Sequence, residues 1–139
     1  MCIRDRTNVA NVPIEVLEND APVQVTRKSL APNSGGKGEY RGGLGQVFSF
    51  KMVGEKPINI SILTEKTKTE AHGICGGKNG KKGKIEIFPK RKIAPKGLDK
   101  LYPGEELVLT LPGGGGYGFS RKRKKAARQK DLELGYVTK

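Results

Sequence analysis

Pro112-Gly113-Gly114-Gly115-Gly116-Tyr117-Gly118 follows a clean strand pattern, Glu105 to Leu111, in which Leu107, Leu109 and Leu111 share one side. Four consecutive glycines cost folding entropy, because each loses more backbone freedom than any other residue. A run like this is kept where the backbone must take positive φ, or where something packs too close for a Cβ. Two earlier clusters give it weight: Ser34-Gly35-Gly36-Lys37-Gly38-Glu39-Tyr40-Arg41-Gly42-Gly43-Leu44-Gly45 and Gly73-Ile74-Cys75-Gly76-Gly77-Lys78-Asn79-Gly80. The 20 glycines and 8 prolines of this 139-residue chain gather in such clusters, with no collagen-like period. They read as turns between short strands.

Strand signals lie between the clusters. Pro22 to Leu30 begins with alternating Val23 and Val25 and ends raggedly. Gln46 to Val53 and Ile58 to Leu63 alternate cleanly, and Gly54-Glu55-Lys56-Pro57 between them has hairpin length. Lys84 to Pro89 places Ile85 and Ile87 on one face, and Tyr102-Pro103-Gly104-Glu105 is a turn into the strand of Leu107. Residues 66–83 read as a long polar loop. Tyr40 and Leu44 are the expected anchors of the first glycine cluster. Ile14, Val16 and Leu17 after Pro13 fit either one helical turn or an extended segment. Ser120 is placed to cap a helix from Arg121, with Ala126, Ala127, Leu132 and Leu134 as its weak apolar side. The pattern predicts a mainly β fold: a sandwich or distorted barrel of short strands with long Gly-rich loops and a C-terminal helix.

Composition narrows the function. The chain is one domain's worth, lean in core formers at 35% hydrophobic and 6% aromatic, without Trp. No 20-residue period repeats, which argues against a solenoid. The net charge of +13 comes wholly from two segments, 78–100 (nine basic, two acidic) and 119–139 (eight basic, two acidic). The rest of the chain balances. These patches suit an anion, RNA or an acidic partner, or a solvated lysine-rich surface. Cys2 and Cys75 make no disulfide framework or zinc motif. No apolar run nears the roughly 18–20 residues that span a membrane, and no signal peptide is visible, so a cytoplasmic location is expected.

Candidate chemistry is sparse. His72 is the single histidine, in Thr69-Glu70-Ala71-His72-Gly73-Ile74-Cys75. Glu70, His72 and Cys75 are close enough in sequence to converge as a Cys/His pair, although a packing role serves His72 equally. No set of three or four metal ligands is visible. The N–H groups of Gly113, Gly114, Gly115 and Gly116 offer an anion cradle before a basic helix, yet the GKS/T ending of a P-loop and the dinucleotide spacing are both missing. Tight packing, including against a subunit interface, is the alternative. Arg41 can clamp a carboxylate or satisfy loop carbonyls. Gly42, Gly43, Gly45, Gly76, Gly77 and Tyr117 complete the motif positions, as binding or structural residues.

In this order and spacing the motifs resemble the C-terminal part of the hydantoinase B/5-oxoprolinase family. The resemblance runs from Thr7-Asn8, Asn11, Pro13 and Glu15 through the three glycine clusters to Asp131, Gly135 and Val137. It implies an ATP-dependent enzyme that opens cyclic amides or imides such as hydantoins and 5-oxoproline, with acetone and acetophenone carboxylases as relations. An A-type partner binds ATP and activates the ring carbonyl, and the B-type part takes the intermediate to product. The metal-binding histidines and carboxylates of the family, where a divalent metal would sit, lie in an N-terminal portion outside this chain. The resemblance therefore implies a B-type C-terminal fragment: scaffold without the main catalytic centre, no cofactor of its own, and an A-type subunit and a small cyclic amide as partners. The lean core, the glycine-rich loops and the missing upstream sequence make marginal stability the expectation for the fragment alone. At the position of His72 the family more often has an aromatic residue, which favours packing.

Residues 1–6 read as a non-native leader, 7–118 as the β-rich portion, and 119–139 as a basic helical tail that is truncated. Phe119-Ser120-Arg121 departs from the family pattern, which has an acidic residue and proline before an Arg. The rival reading, a small basic nucleic-acid-binding β domain, rests on the +13 charge. Against it, Phe48, Phe50 and Tyr117 sit in strand or turn contexts and Phe88 alone neighbours a basic patch, whereas single-strand binders stack bases on exposed aromatics.

Overall fold

The computed structural model describes residues 12–138. The expected leader at 1–6 and the first motif residues, Thr7, Asn8 and Asn11, lie outside the described residues. The elements, in order, are α1 (Ile14–Asp20), β1 (Val23–Leu30), β2 (Gln46–Met52), β3 (Ile58–Leu63), β4 (Lys84–Phe88), β5 (Lys96–Leu101), β6 (Glu106–Thr110), a 3-10 turn (Ser120–Lys122) and α2 (Lys125–Glu133). The fold is mainly β and not a closed barrel. One antiparallel sheet has the order β1-β2-β6-β4, and β3 and β5 form a second, two-stranded sheet.

The strands of the first sheet follow their alternation. Phe50 of β2 lies opposite Val25 of β1 and Leu107 of β6, and Ile87 of β4 also faces Leu107. Val23, Met52, Ile87, Leu101 and Leu107 form the buried core, with Leu17, Phe50, Ile58, Ile60 and Ile93 packed on it. Leu101 of β5 is fully buried and so ties the small sheet to the large one. Such a core is small, in keeping with the lean composition.

Two expectations need correction, and one strand was missed. β2 and β3 do not form a hairpin. A strand has only two hydrogen-bonding edges, and those of β2 are taken by β1 and β6, so β3 pairs with β5 instead. β5 itself was not legible: Gly97 has a φ of 131° and Leu98 is 84% exposed, which hides the alternation. The C-terminal helix begins at Lys125 rather than Arg121, with no side-chain cap; Ser120 opens a 3-10 turn instead. Ile14–Asp20, left open between helix and extended chain, is helical, and Glu18 Oε1 accepts a hydrogen bond from the Val25 N–H at 2.7 Å.

An arginine network joins the sheets. Arg91 Nε donates to Glu105 Oε1 at 2.8 Å, and its Nη1 reaches both Asp99 oxygens at 3.1 and 3.2 Å. Its Nη2 donates to the Lys100 carbonyl. The Arg91 hydrogen bond, together with the Tyr102 N–H, outweighs burial and holds the Glu105 carboxyl below its ordinary value. Asp99 is held low by the Lys100 N–H and by Arg91, and Arg91 is pushed up by both carboxylates. Arg91 sits inside the first basic segment, where the sequence does not set it apart from its lysine neighbours.

Candidate functional site

The glycine clusters do not make turns between strands. They form three segments, 34–45, 71–81 and 112–118, laid against one another backbone to backbone. The Gly36 N–H donates to the Gly114 carbonyl at 2.8 Å, and the Gly114 N–H to that of Gly43 at 2.9 Å. On the other side the Gly113 N–H donates to Lys81 O at 3.1 Å and the Gly116 N–H to Lys78 O at 2.9 Å. The Lys78 and Lys81 N–H groups close the circuit onto Lys37 O and Ser34 O at 2.7 and 2.8 Å. Tyr40 and Tyr117 exchange backbone hydrogen bonds of 3.0 and 2.9 Å. Ser34 is buried, donates to Ala31 O at 2.6 Å and accepts from the Gly45 N–H at 2.7 Å.

This arrangement explains the four-glycine run. Among the glycines, positive φ occurs at Gly76, Gly97, Gly104, Gly118 and Gly135, and at none of Gly113–Gly116. Close approach is therefore what the run serves. A Cβ on Gly113 would run into the Ser34 carbonyl, and one on Gly115 into that of His72. Gly42, Gly45 and Gly77 lie as close to the backbones of Gly114, Leu111 and Gly116, whereas Gly43 faces open space. Gly76, with a φ of 89°, sits under the Phe119 ring in the Ile74–Gly77 turn. The N–H donors of Gly113, Gly114, Gly116, Tyr117 and Gly118 are all spent on chain carbonyls, so that of the expected cradle only the Gly115 N–H has no backbone acceptor among the described residues.

The Glu70, His72 and Cys75 convergence does not form. Glu70 accepts from Asn79 Nδ2 at 3.0 Å, and Asn79 in turn accepts from the Gly73 N–H. His72 is exposed, and among the described residues no hydrogen bond joins it to Glu70 or Cys75. The Cys75 thiol lies instead beside the Tyr117 hydroxyl, which it holds above the ordinary tyrosine value. Among the described residues no group of three His, Cys, Asp or Glu side chains is placed to hold a metal. No described helix is long and apolar enough to cross a membrane.

The expected anchor Tyr40 is 66% exposed; it holds its loop through backbone bonds to Tyr117, and the two rings lie 6.2 Å apart. Tyr117 and Phe119 are about half exposed as well, so Phe88 is not alone among aromatics near basic residues. Arg121 stacks over Phe119 at 5.1 Å.

Arg41 and the C-terminal tail form a clamp across the knot. Arg41 Nη1 donates to Gly42 O at 2.8 Å, and its Nε reaches Asp131 Oδ1 at 3.4 Å. Arg123 takes the other oxygen, Oδ2, at 2.7 Å and donates through Nη1 to Glu39 O at 3.0 Å. Asp131 is the buried residue of α2, while the expected apolar side fails: Leu132 and Leu134 are 38% and 50% exposed. The helix docks through a shared carboxylate. Beyond it, the Asn33 N–H donates to Tyr136 O at 3.0 Å, and the Asn33 side chain pairs with Thr138. Arg123 and Asp131 were missed as site residues, because an arginine in a basic run and a lone aspartate carry no local signal.

The Hydantoinase B/oxoprolinase family model matches residues 5–120. This chain belongs to that family. Similar proteins include one of unassigned activity from Methanocaldococcus jannaschii, 38% identical over 81% of this chain and 20% of its own length. Another is 5-oxoprolinase 1 of Arabidopsis thaliana, 35% identical over 81% of this chain and 9% of its own. Among solved structures the ATP-dependent caprolactamase of Pseudomonas jessenii superposes with a TM-score of 0.77 at 30% identity, covering 91% of this chain and 23% of that one. A nucleotide-free acetone carboxylase shares the fold at a TM-score of 0.70 and 16% identity. The chain thus spans a quarter or less of each of these relatives.

Proposed function

We propose that this hydantoinase B/oxoprolinase chain is the C-terminal part of a B-type subunit in an ATP-dependent enzyme that hydrolyses a cyclic amide. Its share of the reaction is scaffold. The observation that carries this reading is the glycine knot, which spends the N–H groups of Gly36, Gly113, Gly114 and Gly116 on its own carbonyls and, among the described residues, presents no nucleophile–base pair. The family match and the likeness to caprolactamase support the substrate class, a lactam or related ring. In this reading ATP is bound by an A-type partner. The relative from Pseudomonas jessenii is named as a β subunit, which supports such a partner. Any divalent metal belongs with the histidines and carboxylates of the N-terminal portion, and the assembly is cytoplasmic.

The knot's role is to hold its three segments rigid and to present Tyr40, Ile74, Tyr117 and Phe119, all about half exposed or more, as one apolar face. The test is complementation. The chain, expressed with the N-terminal remainder of a family B-type subunit and with an A-type subunit, is expected to give ATP-dependent hydrolysis of 5-oxoproline or caprolactam. The chain alone is expected to give none. Ring opening by the isolated chain would overturn the scaffold assignment.

A second reading, binding of single-stranded nucleic acid, draws on exposed Tyr117 and Phe119 beside the basic 121–125 segment. Filter binding decides it: affinity that falls steeply with salt supports it, and no binding at low salt ends it.

A further inference from the structure

We propose that the cleft between the first glycine segment and α2 is a binding site for a small oxyanion, a carboxylate carried on a short aliphatic chain. The cleft has a volume of about 340 Å³, within the range of small-molecule sites, and its walls include Lys37, Arg41, Arg123, Arg128, Leu132 and Val137. Four cations face one carboxylate, Asp131.

Both oxygens of Asp131 are already taken, one by Arg41 and one by Arg123. Its single charge is shared between two guanidiniums, and nothing of it is left for the others. Arg128 Nη2 donates to the Ser120 carbonyl at 2.7 Å, a neutral partner that leaves its charge uncompensated. Lys37 is exposed at the opposite lip. The cleft therefore has surplus positive charge at Arg128 and Lys37, the complement of a carboxylate or phosphate oxygen.

The choice of carboxylate on a hydrocarbon chain comes from the walls. Leu132, Val137 and the methylene stems of the arginines line the same space, and a bare phosphate would leave that apolar surface uncovered. The inference does not depend on the family reading. It assigns Arg128 a purpose that the clamp does not need.

The experiment is a titration of the ¹⁵N-labelled 139-residue chain with hexanoate, followed by amide shifts. Expected are saturable shifts confined to 37–42 and 120–137, no such shifts with 1-hexanol, and weaker binding of inorganic phosphate at the same residues. Arg128→Gln is expected to weaken hexanoate about fivefold through loss of one charge-assisted hydrogen bond, with the melting midpoint unchanged. Lys37→Gln provides a second variant on the other lip should Arg128→Gln lower that midpoint. A Lys90→Gln/Lys92→Gln control is expected to change nothing. The proposal falls if hexanoate gives no saturable shifts, if 1-hexanol reproduces them, if phosphate binds better than hexanoate, or if the control weakens binding as much as Arg128→Gln.

Discussion

Leu101 in the β core is fully buried, and Gly113 in the knot has no side chain to bury, yet each sits at the centre of its region. The core is held by apolar area: five buried side chains and the strands that carry them. The knot is held by peptide hydrogen bonds and by the absence of Cβ atoms, so that carbonyls of one segment rest directly on the glycines of another. A core tolerates a change of shape if the volume is kept. A knot of backbones has no volume to trade, and that difference sets the expected rank of substitutions.

The largest effect is expected for Gly113→Ala. Its Cβ would need the space of the Ser34 carbonyl, which is backbone and cannot rotate away. A loss of more than about 4 kcal/mol is expected, among the extreme point-mutant effects. Urea melts of the purified variant check it; a near-native midpoint would mean that the segments can separate at little cost. Leu101→Ala, removing a core side chain, is expected to lower stability by about 3 kcal/mol, mid-range for such truncations. Should it prove costlier than Gly113→Ala, the core and not the knot would be the harder region to breach.

Asp131→Asn leaves two arginines without their shared counter-charge and is expected to cost about 2 kcal/mol, as a lost charged hydrogen-bond pair does. Limited proteolysis should then cut first in 119–138, because α2 has no apolar face to keep it docked. Uniform cutting across the chain would show that the tail is held by other means.

Acid acts on the other ion cluster. Glu105 and Asp99 have lowered values in the folded protein, so their contribution is complete above the ordinary carboxylate range and is lost as pH falls through the lowered values. Arg91, raised by the same partners, keeps its charge throughout that window. Thermal melts at neutral and at acid pH are expected to show a drop that Arg91→Gln reduces, the part owed to the Lys100 and Tyr102 N–H groups remaining. The smallest effect belongs to Gly43→Ala, within about 0.5 kcal/mol, since its Cβ would point into open space. It is the control for Gly113→Ala: same chemistry, same knot, opposite room.

How much of this is legible in the sequence depends on the range of the signal. β2, β4 and β6 announce themselves by alternation, and the glycine clusters by composition. Which edges β2 uses does not appear in its own residues, because pairing is settled by competition among strands far apart in the chain. β5 is hidden by Gly97 and by an outward Leu98. In the candidate site the glycines were visible and their partners were not, since a glycine reports that something comes close but not what. Asp131, Arg123 and Arg91 act across 90, 84 and 14 residues in their contacts with Arg41, Glu39 and Glu105, and no local pattern marks an arginine that turns inward from a basic run.

The knot also bears on how stability varies with temperature. Exposing apolar surface raises the heat capacity on unfolding, whereas exposing peptide groups lowers it. A chain that packs much of its interior as bare backbone should have a heat-capacity increment per residue below the usual 12–15 cal/mol/K, and a correspondingly flatter stability curve. Cooling would then weaken this molecule less than a domain of equal size built around side chains, because less of its cohesion comes from hydrocarbon leaving water.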